Sequence, residues 1–204
     1  MKKFELTSET KIDIFGKKLF RIKALISFGS VKAGETGGWV EKEGNVNQSG
    51  DAWVFGNARV SGDARVSGDA KVFGDAMVSG NAWVSGDAWV SGDAWVSGDA
   101  RVFGNAMVSG DAWVSGDAKV FGDARVFGDA EVSGDADYTT IHGFGTQFRT
   151  TTFFRCKDKK VRVACGCFFG TIPEFRKQVK NTRKGKIAEE YLMIADLMEN
   201  HFEK

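Results

Sequence analysis

The chain has 204 residues, 27% of them charged, and a formal net charge of only +1. Three cysteines are too few for a disulfide-organised fold, and no apolar run approaches the length of a membrane span. The segment Met1–Glu5 lacks the apolar core of a signal peptide. These features exclude a disulfide scaffold and a membrane protein, and we expect a cytoplasmic location.

Residues 1–37 predict an N-terminal β cap. The stretches 11–15 and 19–25 alternate apolar and polar side chains on either side of Gly16-Lys17-Lys18, which favours a β-hairpin. Residues 38–49 align as two imperfect hexads, which places Lys42 and Gln48 at inward positions. A polar first coil of this kind is expected where nothing stacks on the end of a solenoid.

A six-residue phrase, Gly-Asp/Asn-Ala-x-Val-Ser/Phe, repeats from Gly50 onwards. Fourteen clean copies run to Ser133, and a degenerate copy covers 134–139. Strand alternation points Ala and Val inward, and Gly beside Asp or Asn suits a sharp corner. A fixed short period indicates a stacked coil, so residues 38–139 predict one continuous β-solenoid.

This phrase resembles the hexapeptide repeat of left-handed parallel β-helix proteins, in which three units form one triangular coil. The resemblance implies a left-handed parallel β-helix, and with its flanking segments the chain is expected to be mainly β, with an N-terminal β cap and a small C-terminal α+β module. Positions eighteen residues apart then stack, and outward columns carry most of the large side chains. These candidates for a binding surface are Trp53, Trp83, Trp89, Trp95, Trp113, Met77 and Met107.

Outward tryptophans favour a contact surface, because soluble monomers seldom expose many large apolar side chains. Two alternatives stay open: stacked aromatics stabilise neighbouring strands, or repeat duplication has copied side chains that have no role. Residues 50–139 carry a net charge of −8, although most of these Asp residues occupy turn positions. We therefore do not expect nucleic acid to be a partner, and we do not expect the acidic coil to mimic nucleic acid.

Residues 140–204, with a net charge of +6, predict a separate α+β module. Strands are expected at 150–156 and 161–168, and Thr171-Ile172-Pro173-Glu174 has the residues of a helix N-terminus. A short helix to about Lys180 and a longer amphipathic helix over 186–202 should follow. This module either covers the last coil or pairs with another subunit.

Candidates for chemistry are few in this sequence. Cys156, Cys165 and Cys167 could join His142 in a metal site, but Cys165-x-Cys167 lacks the usual paired spacing and the alternation of 161–167 suits a core strand. We therefore expect no metal and no cofactor. Many left-handed β-helix proteins are trimeric acyltransferases that use acyl-coenzyme A and a catalytic histidine. Residues 38–139 contain no histidine and no interrupting loop, and the two histidines are His142, just past the coil, and His201, near the C-terminus. His142 is the candidate for that role, and the alternative is a turn histidine that faces solvent or is hydrogen-bonded within the fold.

The segments 37–41, 151–156 and 165–171 flank the repeat, and together with it they resemble hexapeptide-repeat proteins of bacteriophages and prophages. That resemblance implies a non-catalytic accessory protein in the cytoplasm of a bacterial host, where a rigid coil binds a macromolecule such as a host defence protein. Self-association into a dimer or trimer is also expected. An acyltransferase and a structural spacer remain the alternatives.

Overall fold

The computed structural model describes residues 2–203. A three-sided parallel β-helix of about five turns occupies the middle of the chain, which confirms the predicted mainly β class. Fourteen strands of two residues each form its sides. They are β4 (Trp53–Val54), β5 (Arg59–Val60), β6 (Arg65–Val66), β7 (Lys71–Val72), β8 (Met77–Val78), β9 (Trp83–Val84), β10 (Trp89–Val90), β11 (Trp95–Val96), β12 (Arg101–Val102), β13 (Met107–Val108), β14 (Trp113–Val114), β15 (Lys119–Val120), β16 (Arg125–Val126) and β17 (Glu131–Val132).

Each of these strands pairs in parallel with the strand eighteen residues away, as Trp95 pairs with Trp113. The first face of the prism contains β5, β8, β11, β14 and β17. The second face contains β4, β7, β10, β13 and β16, and the third contains β6, β9, β12 and β15. The predicted stacking of positions eighteen apart is therefore confirmed.

The core of the β-helix consists of alanine and valine alone over most of its length. Every repeat from Ala52 to Val132 buries its Ala and Val almost completely. The corner glycines allow the turns of the helix to stack closely: Gly92 has φ of 68°, and a Cβ there would lie 2.9 Å from the backbone N of Gly110. A side chain at this corner would collide with the next turn, which explains the unbroken glycine period.

At the N-terminus, β1 (Phe4–Ile12) and β2 (Lys18–Ala24) form the predicted hairpin, and β2 pairs with β3 (Thr36–Val40). β3 then starts the first face by pairing in parallel with β5, so that Val40 lies beside Val60. A 3₁₀ turn at Glu43–Asn45 follows, and Val46 bridges to Val66.

The register predicted for residues 38–49 is wrong by two residues. The inward positions belong to Val40 and Val46, which are buried, and not to Lys42 and Gln48. The polar pair lies outside the core: Lys42 forms an ion pair with Asp63, and Gln48 donates to Glu43. Two extra residues between Val46 and Val54 break the hexad count, so extending the repeat backwards from Val54 gives the wrong residues.

The C-terminal module is a four-stranded antiparallel sheet covered by two helices. Its strands are β18 (Tyr138–Phe144), β19 (Arg149–Arg155), β20 (Val161–Cys165) and β21 (Phe168–Thr171). The helices are α1 (Ile172–Thr182) and α2 (Gly185–Phe202). The helix start at Thr171 is confirmed, since its hydroxyl accepts from the Glu174 N–H and Glu174 accepts from the Thr171 N–H. The second predicted strand is in fact two strands with a turn between them, and β18 was not predicted.

This sheet lies between the coil and the helices, because neighbouring side chains of β19 point to opposite sides. Phe154 packs in the core that continues from the coil, and Phe153 packs with the helices. The stripe Tyr191, Ile194, Met198 and Phe202 of α2 is buried in that second core. The module therefore covers the last turn of the coil, with its helices on the outer side.

Among residues 2–203, neither α-helix has the length and apolar composition that a membrane-spanning helix requires.

Candidate functional site

The predicted binding residues are distributed over all three faces of the prism. Trp95, Trp113 and Met77 lie on the first face, Trp89 and Met107 lie on the second, and Trp83 lies on the third. The structure thus brings Trp95 and Trp113 together but leaves Trp89 around a corner from them.

Trp53 also belongs to the second face, but its expected exposure is wrong. Its side chain is fully buried because Phe4 and Phe28 from the N-terminal segment cover it, with ring centroids 5.8 and 5.3 Å away. It is therefore a core residue and not part of a binding surface.

The exposed indoles are held in fixed orientations by the repeat itself. Trp95 and Trp113 stack with centroids 5.0 Å apart and planes 2° from parallel. Where a serine stands sixteen residues earlier, the indole N–H is directed at it: Trp95 Nε1 lies 3.1 Å from Ser79 Oγ, and Trp83 Nε1 lies 2.9 Å from Ser67 Oγ. At Trp89 that position holds Phe73, whose ring centroid lies 5.8 Å from the indole. The serine or phenylalanine that follows a valine thus contacts the tryptophan of the next turn.

The hairpin between β1 and β2 adds a residue that the sequence did not indicate. The Phe15 ring in its turn lies 5.5 Å from Trp95, and half of Phe15 remains exposed, as do most of Ile12 and Ile14. Trp113, which stacks on Trp95, is 38% exposed. We call Ile12, Ile14, Phe15, Trp95 and Trp113 the aromatic patch. No local pattern could have linked Phe15 to a tryptophan eighty residues away.

Charges divide the first face into two halves. Exposed corner aspartates precede and follow the two stacked tryptophan strands, and none of them forms an ion pair within residues 2–203. These corners are Asp93, Asp99, Asp111 and Asp117. The aromatic patch therefore has an acidic border.

The opposite half of this face, near the N-terminal cap, is cationic. Lys11 Nζ and the Arg21 guanidinium lie 4.3 and 4.9 Å from the centre of the Trp39 ring, and Arg59 pairs with Trp39 in the sheet. Burial, and then the charges of Arg59 and Arg21, lower the pKa of Lys11 to about 8. The face is thus polarised along the coil axis.

A second aromatic pair lies beside the third face and was not among the predicted contact residues. Phe103 and Phe121 stack with centroids 5.3 Å apart, and Tyr138 closes the end of the pair 6.4 Å from Phe121. Burial raises the pKa of Tyr138 to about 12. This pair joins the coil to the first strand of the C-terminal module, so it has a structural role.

His142 lies on β18 at the surface. Its Nδ1 is 3.1 Å from the Thr150 hydroxyl, and it borders a shallow groove that also contains Asp123 and Arg125. Asp123 accepts a hydrogen bond from Asn105 rather than from the imidazole. Within residues 2–203, His142 has a hydroxyl partner and no carboxylate partner that would orient it as a general base.

The three cysteines occupy different environments. Cys156 is buried at the junction with the coil, where burial, followed by Asp129, raises the pKa of its thiol to about 12. Cys165 is half-buried, and its Sγ accepts from the Thr151 hydroxyl at 3.2 Å. Cys167 is exposed in the turn between β20 and β21, so its expected place on a core strand is wrong. Within residues 2–203, no three His, Cys, Asp or Glu side chains are grouped as metal ligands.

Comparison with known proteins gives matches to part of the coil alone. A family model described as the YdcK beta solenoid repeat matches residues 52–68, 58–72, 70–86 and 100–116. No curated protein matches the chain. The matched segments are all hexapeptide repeats of the three faces, so the similarity and the observed parallel sheets agree: the chain is a β-solenoid repeat protein.

Proposed function

We propose that this protein is a non-catalytic binding protein whose aromatic patch receives a cationic and apolar segment of a protein partner. The observation that carries the proposal is the stack of Trp95 on Trp113 with Phe15 packed against Trp95, a cluster that remains partly exposed. Large aromatic side chains dominate the energetics of protein interfaces when they are already ordered, because little conformational entropy is lost on binding.

The chemistry of the partner follows from the border of the patch. Lysine or arginine side chains can stack on exposed indole faces and at the same time approach the unpaired corner carboxylates such as Asp111 and Asp117. Apolar side chains of the same segment would cover Ile12 and Ile14. A basic, partly apolar protein segment therefore complements the patch better than an acidic one or a nucleic acid.

The biological setting in this proposal is a bacteriophage or prophage accessory protein that acts in the cytoplasm of its bacterial host. The partner would then be a host protein, such as a component of host defence. Support for this setting comes from the resemblance of the repeat and its flanking segments to phage proteins. The structure contributes the surface and its chemistry.

Site-specific photo-crosslinking in a bacterial host tests the proposal. A photoreactive amino acid replaces Ser115, which follows the Trp113–Val114 strand on the first face. The matched control replaces Ser91, which follows Trp89–Val90 on the second face. We expect a crosslinked partner protein from position 115 and not from position 91, and mass spectrometry of the adduct identifies it.

Two variants connect the crosslink to the patch. Trp95→Ala with Trp113→Ala should abolish the adduct, and high salt should weaken it, because exposed charges are screened. Trp89→Ala removes an indole of similar exposure from another face and should leave the adduct intact. Equal adducts at both positions, or an adduct that survives the double substitution, would contradict the proposal. An adduct between two copies of this chain would replace it with self-association.

A further inference from the structure

The C-terminal module contains a cavity that the proposed binding surface does not use. It has a volume of about 280 Å³ and lies between the sheet and the helices. Two turns form one side of it, the β18–β19 turn at residues 146–149 and the β20–β21 turn at residues 165–168. The last turns of α1 and Tyr191 of α2 form the other side.

The floor of the cavity is apolar and rigid. Phe175 and Val179 of α1 are buried there, and Phe175 contacts Phe168 and Tyr191 with ring centroids 5.4 and 5.8 Å apart. The Tyr191 hydroxyl donates to the Phe144 carbonyl at 3.2 Å, which fixes its ring. Such a floor favours an aromatic or branched apolar group.

The rim of the cavity is cationic. Arg149 and Arg183 line it, and no Asp or Glu is among the lining residues. Neither arginine forms an ion pair within the part of the chain that the structure describes. One Nη of Arg183 is directed at the Thr182 carbonyl at 3.3 Å, so its other donors are available. Two guanidinium groups without carboxylates are typical of a site for an anion.

The two strand turns beside the cavity have unusual backbone conformations. Phe148 has φ of 48°, in the left-handed region that bulky residues rarely adopt, and both of its neighbours line the cavity. Gly166 has φ of 59°, and a Cβ there would lie 2.8 Å from Arg149 Nη1. The absence of a side chain at Gly166 thus allows the Arg149 guanidinium to lie across the turn, beside the cavity.

We infer that this cavity binds a small organic anion, a carboxylate or a phosphate joined to an apolar group. The apolar group would occupy the floor over Phe175 and Tyr191, and the anion would accept hydrogen bonds from Arg149 and Arg183. The volume of about 280 Å³ lies just below the usual range for small-molecule sites, about 300–1,000 Å³, so the ligand is small. Nothing in this inference depends on the aromatic patch of the coil.

Titrations of the full chain, followed by nuclear magnetic resonance, test the inference with four probes. Phenyl phosphate and benzoate carry both groups, benzyl alcohol lacks the anion, and inorganic phosphate lacks the apolar group. We expect phenyl phosphate or benzoate to bind at least tenfold more tightly than the two incomplete probes and to shift the amide signal of Gly166. The stronger of the two shows whether the anion is a phosphate or a carboxylate.

The variant Arg149→Gln with Arg183→Gln should weaken binding of that probe at least tenfold. Its matched control, Lys177→Gln with Lys180→Gln, removes two charges from exposed positions of α1 that do not line the cavity. Equal weakening in both variants, or equal affinity for all four probes, would overturn the inference. So would the failure of both organic anions to shift signals of the lining residues. Trp95→Ala with Trp113→Ala should leave this binding unchanged, which separates the test from that of the proposed function.

Discussion

The two ends of the coil expose opposite halves of the peptide group. Along the β-helix, each strand N–H donates to a carbonyl seventeen residues ahead, as Arg59 donates to Ala76. Carbonyls of the first turns therefore lack a donor, and N–H groups of the last turn lack an acceptor. The direction of the chain decides which chemistry each cap must supply.

The N-terminal end is satisfied by donors. Lys3 Nζ donates to the carbonyls of Gly50 and Ala52 at 3.1 and 2.9 Å. The backbone N–H of Asn45 donates to the Lys42 carbonyl within the 3₁₀ turn, so it cannot donate to the coil. The side-chain Nδ2 of Asn45 donates instead to the carbonyls of Gly62 and Ala64 at 3.1 and 2.8 Å. Two buried side chains thus replace the hydrogen bonds of a missing turn.

The C-terminal end is satisfied by acceptors. Asp135 accepts from the Lys119 N–H, Thr152 accepts from the Arg125 N–H, and Asp137 accepts from the Ser133 N–H, all at 2.9–3.0 Å. Acidic and hydroxyl side chains are therefore found where lysine and asparagine are found at the other end. The caps are not interchangeable, and both oppose the edge-to-edge stacking of two coils.

The largest effect should come from removing the apolar cover of the N-terminal end. Trp53→Ala deletes a fully buried indole that packs against Phe4 and Phe28, so we expect the free energy of unfolding to fall by about 3–5 kcal/mol. Urea denaturation followed by circular dichroism measures this loss.

Trp89→Ala is the matched control, because Trp89 occupies the same column two turns further on but is 41% exposed. Its loss should be about 1 kcal/mol. Trp53→Phe should also be mild, since the buried Trp53 N–H has no hydrogen-bond partner within residues 2–203. Similar losses for Trp53→Ala and Trp89→Ala would show that the N-terminal cover contributes little.

Replacing a hydrogen-bond donor by an acceptor at the N-terminal end of the coil should lower the free energy of unfolding nearly as much. Asn45→Asp keeps the shape of the side chain but places a carboxylate, at a buried position, against the carbonyl oxygens of Gly62 and Ala64. We expect a loss of about 3 kcal/mol at neutral pH, measured by urea denaturation. The loss should shrink in acid, because the introduced carboxyl group can donate again once it is protonated. Asn47→Asp is the control: Asn47 is exposed and already acts as an acceptor, for Ser49, so a stability close to that of the wild type is expected.

The sequence predicted the parts of the fold that the repeat determines. The face of every residue from 50 to 133 follows from a period of six, because a slip would expose the buried valines. Towards the N-terminus that period is broken between Val46 and Val54, where two additional residues shift the register, and towards the C-terminus it ends at Tyr138, where β18 begins. Local pattern could not extend past either break.

The candidate surface was also predictable only in part, because the repeat does not determine how the segments outside it pack. The stacking of Trp95 on Trp113 follows from their separation of eighteen residues. The burial of Trp53 and the contact of Phe15 with Trp95 depend on where the N-terminal hairpin packs, which is a tertiary choice. The cavity between Arg149 and Arg183 likewise requires the packing of α1 on the sheet.

The two ends should respond oppositely to alkaline pH. Burial lowers the pKa of Lys3 from 10.5 to about 8, so the unfolded chain binds more protons between these values and the stability contribution of Lys3 rises with pH. Burial raises the pKa of Cys156 from 9 to about 12, so the unfolded chain loses its proton first and stability falls from about pH 9 upwards. Each effect should reach about 1 kcal/mol by about pH 10.5, after allowing for partial solvation.

Comparing the stability of a variant with that of the wild type at several pH values isolates the contribution of Lys3 or of Cys156. Relative to the wild type, Cys156→Ala should gain stability as pH rises from about 9, and Lys3→Met should lose stability as pH rises from about 8. Urea midpoints measured at three pH values for the three proteins give both differences. Parallel pH profiles for all three would show that neither group titrates differently on folding.

The smallest effect should come from the isosteric change at the acceptor end. Asp137 Oδ2 accepts from the N–H groups of Ser133 and Gly134, and Oδ1 lies 3.4 Å from Arg155 Nε. Asp137→Asn retains a carbonyl oxygen that can accept, so only the charge and the Arg155 pair are lost and about 1 kcal/mol is expected. Asn45→Asp leaves the carbonyls of Gly62 and Ala64 without a side-chain donor, whereas Asp137→Asn keeps an acceptor for the N–H groups of Ser133 and Gly134. We therefore expect Asp137→Asn to lower the free energy of unfolding less than Asn45→Asp does. If Asp137→Asn destabilised the protein as much as Asn45→Asp, the charge of Asp137 rather than its role as an acceptor would hold the end of the coil.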